Sequence, residues 1–333
     1  MAEDGTTTKA FNIMVVGQKG RVGYEALIFA ASLRARSPGF AGRLFVAEPQ
    51  PGPLWPSDPR MPGDLRAALT DLGAEILPFE TTTFGASYPH GNKIEGLLAM
   101  PEGEPFVFFD SDTLVTADLA SIPFDFDRPS ASMRREGTWP MEELYWPGYT
   151  ATWKALYDRF GLEFESTLDL GQPDEYWQRY LYFNAGWFFG ACPRAFGTRF
   201  RDWAREIRDD RPEALVLQPL DPWLDQVTLP LVIHSFGGGR PGPELDPLDG
   251  EATFHWRVLP LLYTQGTEAQ IALFEELVAP NRLKKVLKNH EPLKRFVYQG
   301  RGRKARALFD GQPLPRSEKK LRNVLKKEGF WMR

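Results

Sequence analysis

Four short apolar runs, FNIMVVG (11–17), RLFVAEP (43–49), AEILPFE (74–80) and FVFFD (106–110), alternate with stretches of helical periodicity. Each run is too short for a buried helix and reads as a buried strand. The intervening segments predict helices over 22–36, near 64–72 and over 92–100. Such alternation leads to an α/β fold: a mostly parallel sheet with helices on both faces. Ligands in such sheets bind at the carboxyl ends of the strands. Asp110 and Asp112 emerge at the end of the fourth run.

The second half is less regular. Residues 129–135 and 253–263 read as strands, and 180–193 as a strand pair or a strand with a turn at Asn184–Ala185–Gly186. Helices are predicted toward the end of 138–161, over 194–209 and over 222–236. No internal repeat is visible.

At 333 residues the chain exceeds the usual single-domain size, but 42% apolar content suffices for one large core. Cys192 is the sole cysteine, so no intrachain disulfide forms and a reducing, cytoplasmic setting is expected. The opening MAEDGTTTKAF is acidic and polar, unlike a signal peptide, and no apolar run is long enough to span a membrane. The net charge of −4 hides an asymmetry. Residues 282–333 carry 17 Lys and Arg against four Asp and Glu. We therefore expect a body over 1–281 and a basic helical C-terminal extension over 282–333. The extension could bring the protein to the inner face of an anionic membrane or dock on its own acidic body. No nucleic-acid recognition module accompanies the charge, so no nucleic-acid partner is expected.

The DSD triplet admits two readings. Residues i and i+2 at a strand end can point the same way, so Asp110 and Asp112 can share one hard cation such as Mg²⁺ or Mn²⁺. Alternatively they only turn the chain. The same triplet at Asp125/Asp127 lies in PFDFDRPS, a loop by composition. Other polar residues stand in apolar surroundings. Asn92 and Lys93 open a helix, where a lysine suits an anion. YFNAGWFF sets Asn184 and Gly186 between aromatic runs. WLDQVTLPLVI begins an apolar helix with Asp225 and Gln226, and ATFHWRVL carries His255 in a strand-like run.

In this order, NK, FFDSDTLV, YFNAG, LDQ and a late histidine resemble the GT-A-type nucleotide-sugar glycosyltransferases, nearest to the family 8-like group. The resemblance covers roughly residues 11–265. It implies a mixed GT-A sheet, a UDP-linked sugar donor and transfer of a hexose to a hydroxyl acceptor such as a carbohydrate. It further implies that Asp110, Asp112 and His255 hold Mn²⁺ or Mg²⁺. Ser111 lies near the ribose, Lys93 faces the diphosphate, and Gly17 lets the first loop approach the nucleotide. Asn184 and Gly186 lie beside the sugar, and Asp225 with Gln226 faces donor or acceptor, Asp225 being the base if configuration inverts. The family usually places its histidine in a His-x-x-Gly-x-x-Lys-Pro stretch, absent around His255, so His234 in HSFGGGRP is a second candidate.

Rival readings remain. GQKGRVG (17–23) followed by Glu48 fits the glycine fingerprint of an NAD(P)-dependent short-chain-type oxidoreductase. No Tyr-x-x-x-Lys pair follows, the nearest being Tyr149 and Lys154. DSDTLV is also similar to the Asp-x-Asp-x-Thr loop of haloacid-dehalogenase-type phosphatases, though Thr113 falls one place early. A nucleotidyltransferase would want a richer first loop, and a non-catalytic carbohydrate-binding relative would keep the same ligands. The aromatic stretch WPMEELYWPGYTATW (139–153) is the candidate platform for an acceptor sugar.

Overall fold

The structure is a computed structural model that describes residues 10–135, 137–311 and 313–332. Five strands form the main sheet: β1 (Asn12–Val16), β2 (Leu44–Pro49), β3 (Ala74–Phe79), β4 (Phe106–Phe109) and β6 (Trp187–Gly190), in the order β3-β2-β1-β4-β6. The first four are mutually parallel and β6 runs antiparallel to β4. This is the mixed α/β sheet that the alternation predicts.

Side chains alternate across the sheet with the period of two that a pleated strand imposes. Ile13, Val15, Val107, Phe109 and Phe189 enter one core. Met14, Val16, Phe106, Phe108 and Phe188 enter the other. Helix α1 (Arg21–Arg36) and α2 (Gly63–Asp71) cover the first face. On the second face lie α3 (Asn92–Gly96), α4 (Tyr149–Arg159), α5 (Pro193–Asp209) and α6 (Leu224–Ser235). Buried Phe196, Gly197, Phe200, Ala204 and Ile207 follow the helical repeat along α5.

A second, two-stranded ladder shapes the functional end. After β4 the chain turns at 110–112 and leaves the sheet as β5 (Thr113–Val115), which pairs antiparallel with β7 (Thr253–His255). Thr113 lies opposite His255.

Two sequence expectations are corrected and one alternative is decided. Residues 253–263 are not one strand: β7 ends at His255, and α7 (Leu259–Gln265) follows with Pro260 in its first turn. Every residue from Leu259 to Thr264 is buried, and an all-apolar run does not distinguish strand from enclosed helix. Residues 129–135 reach the sheet only through one bridge, Ala131 to Phe188. Of the two readings of 180–193, the single strand with a turn at Asn184–Ala185–Gly186 holds: β6 follows a left-handed Ala185.

The basic C-terminal region forms α9 (Asn281–Leu287), α10 (Glu291–Leu293), a π-helical turn (Lys294–Tyr298), α11 (Arg301–Ala307) and α12 (Glu318–Lys327), after α8 (Glu268–Val278). Leu283, Leu287, Leu293, Leu321, Leu325 and Phe296 join the same core as α1. At Gly302 a Cβ would stand 2.4 Å from the Tyr263 ring, so α11 lies directly on α7. Arg303 pairs with Glu275 at 2.6 Å and also with Glu268, and Arg306 donates to the carbonyls of Tyr263 and Gly266. No helix of the described residues is long and apolar enough to cross a membrane. Phe296 is fully buried, and Phe296→Ala is expected to lower stability by about 3–5 kcal/mol. Urea unfolding checks this, and a loss under about 1 kcal/mol would show that the extension is not part of the core.

Candidate active site

The turn after β4 gathers most of the residues singled out in the sequence. Carboxylate oxygens of Asp110 and Asp112 and a ring nitrogen of His255 lie within 4.8 Å of one another. His255 Nε2 is 3.0 Å from Asp112 Oδ1 and 3.8 Å from Asp110 Oδ2. The β5–β7 ladder sets this geometry, and the Trp256 amide locks it by donating to the Asp112 carbonyl at 2.9 Å. His234 stands elsewhere, against the Tyr157 ring, and lines a separate cavity of about 820 Å³ with Arg240. Two carboxylates and an imidazole form a donor set suited to Mn²⁺ or Mg²⁺.

The Asn184–Ala185–Gly186 segment closes one side. Ala185 has φ of 61°, and this left-handed kink turns its carbonyl toward Lys93 Nζ at 3.2 Å. The Gly186 carbonyl accepts from the Asp110 amide at 2.8 Å. A Cβ at Gly186 would sit 2.6 Å from His255 Nδ1 and 2.8 Å from Asn184 Oδ1, so only glycine leaves room for the imidazole and the amide in these positions.

Lys93 is the hub. Its ammonium contacts Asp110 Oδ1 at 2.9 Å, Asp225 Oδ2 at 3.2 Å and the Ala185 carbonyl, and these use its three N–H donors. Burial acts to lower its pKa, but the charges of Asp110 and Asp225 outweigh it and hold the pKa above the ordinary lysine value. Asp225 is 2% exposed. Its other oxygen accepts from the Tyr88 hydroxyl at 2.7 Å, and its amide donates back to that hydroxyl at 2.9 Å. Gln226, next along α6, accepts from Tyr182 at 2.7 Å.

On the opposite side lies a pair that sequence reasoning missed. Glu25, inside the apolar face of α1, is buried. Its oxygens meet Arg21 Nη1 at 2.9 Å and the Ser111 hydroxyl at 3.5 Å. Burial pushes its carboxyl well above the usual range; Asp112 and Asp110 act in the same direction and Arg21 opposes them. Burial also works against the Asp112 carboxylate, but His255 and Arg21 hold its pKa below the ordinary value. Two signals were available: a glutamate amid VGYEALIFAA, and an arginine in the first turn of a helix, where the dipole disfavours a cation.

A pocket of about 230 Å³ opens beside this cluster, lined by Val16, Gln18, Arg21, Val22, Pro89, His90, Lys93, Asp110, Ser111 and Asp112. Gln18 is fixed by Asn92, whose amide donates to it at 2.6 Å. Gly17 lies under this loop, but a Cβ there would meet Val46 at 2.4 Å, so core packing already requires glycine. The rival dinucleotide reading loses its acid. Glu48 is buried, pairs with Arg66 and accepts from the Met61 amide at 2.8 Å. Lys154 pairs with Asp158 on the surface of α4. The aromatic stretch 139–153 is also corrected as a platform. Trp139, Tyr149 and Trp153 are core residues, and only Trp146, half-buried, and Tyr145 reach the surface.

Comparison with known proteins places this geometry in context. Among solved structures, a galactosyltransferase, LgtC, in complex with donor and acceptor sugar analogues aligns at 14% identity with a TM-score of 0.48, covering 83% of this chain and 99% of its own. The apo form of the glycosyltransferase GlyE of Streptococcus pneumoniae TIGR4 aligns at 11% identity with a TM-score of 0.45, covering 89% of this chain and 64% of its own. The bifunctional WbbM aligns at 12% and 0.45, covering 87% and 53%. A search of curated proteins finds no match. The family model for the Rhodobacterales glycosyltransferase domain matches residues 13–237, well over half of the chain, and the protein belongs to that family of glycosyltransferases.

Proposed function

We propose that the protein is a metal-dependent GT-A glycosyltransferase that moves a hexose from a UDP-linked donor to a hydroxyl acceptor, with a carbohydrate as the acceptor class. The observation that carries this reading is the convergence of Asp110, Asp112 and His255 at the end of β4, beside a pocket of about 230 Å³. These three residues would hold Mn²⁺ or Mg²⁺. Bound there, the cation supplies Lewis-acid charge that offsets the negative charge developing on a diphosphate leaving group.

The chain's own residues divide the remaining work. Ser111, at the pocket wall, would face the ribose, and Gln18, next to buried Gly17, lines the pocket where the nucleoside would rest. Asn184 and Gly186 border the imidazole and would face the sugar. Both oxygens of Asp225 are engaged, one by Lys93 and one by Tyr88. Each of these oxygens keeps a further lone pair, and we assign Asp225 and Gln226 to orienting sugar hydroxyls, a role that rigidity favours. Lys93 serves them by fixing Asp110 and Asp225 in one arrangement.

The catalytic body is assigned to residues 1–281, with 282–333 as an extension that braces it. The outward lysines of α12, Lys319, Lys320, Lys326 and Lys327, are exposed and would suit an anionic lipid surface on the cytoplasmic side. Replacing all four with glutamate is expected to abolish co-sedimentation with phosphatidylserine vesicles at low salt; equal pelleting of both proteins removes the membrane assignment.

Asp112→Asn is expected to lower Mn²⁺-dependent hydrolysis or transfer of UDP-sugars by about 100-fold or more, since a metal contributes several kcal/mol to such charge stabilisation. The melting temperature of the metal-free protein should stay within about 4 °C of wild type. Full activity in this variant, or NADH binding without UDP-sugar binding by the wild type, would refute the reading.

A further inference from the structure

We infer that Arg21, and not Lys93, is the side chain that grips the diphosphate of the nucleotide; this rests on the nucleotide-sugar reading of the site above. The inference comes from counting donors. Lys93 has three N–H groups, and all three are taken, by Asp110, Asp225 and the Ala185 carbonyl. It is 6% exposed, and although it lines the pocket it has no N–H left for a ligand unless it gives up one of these partners.

Arg21 is in the opposite position. A guanidinium carries five N–H donors in a fixed fork. Among the described residues every hydrogen bond of the Arg21 side chain runs through one nitrogen, Nη1: to Glu25 Oε1 at 2.9 Å, to the Arg257 carbonyl at 2.6 Å and to Asp112 Oδ2 at 3.5 Å. The Nε and Nη2 edge donates to nothing among the described residues. That edge presents two parallel N–H groups, the arrangement that matches two oxygens of a phosphate. The side chain is 36% exposed and lines the same pocket as Asp110 and Asp112.

The surroundings show why the arginine stays there. It stands in the first turn of α1, the end of a helix that attracts anions and disfavours cations. Buried Glu25 offsets that cost and anchors Nη1, so the guanidinium is aimed before any ligand arrives. Glu25 is thus a positioning residue acting through Arg21. Asp112 lies between Arg21 and His255, so a diphosphate on the metal-ligand pair would be within reach of the free edge.

The test compares UDP with uridine, both with Mn²⁺, by calorimetry for UDP and ligand-observed NMR for uridine. Arg21→Lys keeps the charge beside Glu25 but loses the fork. The double variant Arg21→Gln/Glu25→Gln removes the buried charge along with its partner and guards against misfolding of a single deletion. A charge-assisted pair of hydrogen bonds makes the expected loss of UDP affinity about 10- to 100-fold in both variants, with uridine affinity within about twofold of wild type. Unchanged UDP affinity in both variants would overturn the assignment while leaving the nucleotide-sugar reading intact. Equal losses for UDP and uridine would show a merely structural role and overturn it as well. A wild type that binds uridine but gains nothing from the diphosphate, or binds neither, would sink that reading and this inference together.

Discussion

An ammonium buried between two carboxylates organises this molecule. Lys93 joins the turn after β4, through Asp110, to the first turn of α6, through Asp225, and to the kinked Ala185 carbonyl. Removing one partner from such a buried set typically costs about 3–5 kcal/mol, because the charges left behind have no water to replace it. The same contacts therefore hold three separate segments together and fix the site before substrate binds. They also explain why the lysine is unsuited to ligand capture: it is structurally committed.

A second constraint is the departure of β5 from the main sheet. Had the chain stayed in the sheet after Asp110, no strand would bring His255 to the acids. The short β5–β7 ladder does this, and its site end is tied to the C-terminal region, since Arg257, two residues past His255, pairs with Glu318 of α12 while its carbonyl receives Arg21. The basic extension is therefore mechanically continuous with the site. Its apolar side packs beside α1 and its charge faces outward or pairs with Glu268 and Glu275.

The strand and helix order of the first half was legible because apolar runs of four to six residues alternate with longer amphipathic segments. Asp110, Asp112, Asn184 and Asp225 stood out for one reason, polar groups interrupting apolar runs, and that oddity marks buried polar networks generally. His255 stood out as a histidine in a strand-like run, but nothing local says which strand β7 would meet. Tyr88 was invisible, because a loop tyrosine gives no sign that it will cap a distant carboxylate. The aromatic stretch 139–153 misled because composition does not report burial, and Trp139 and Trp153 pack edge to face in the core. In the extension the amphipathic pattern was legible, but not which surface it would meet: Leu321 and Leu325 are buried in the core beside α1 while neighbouring lysines are exposed.

The central claim is that Asp110, Asp112 and His255 together grip one divalent cation. Electron paramagnetic resonance of Mn²⁺ titrated into the protein with UDP reads this directly. The account predicts loss of the free-ion signal up to one ion per chain, with pulsed spectra showing nitrogen coupling from a single imidazole that vanishes in His255→Ala. Persistence of the aqueous ion signal throughout, or bound manganese without any nitrogen coupling, would contradict it.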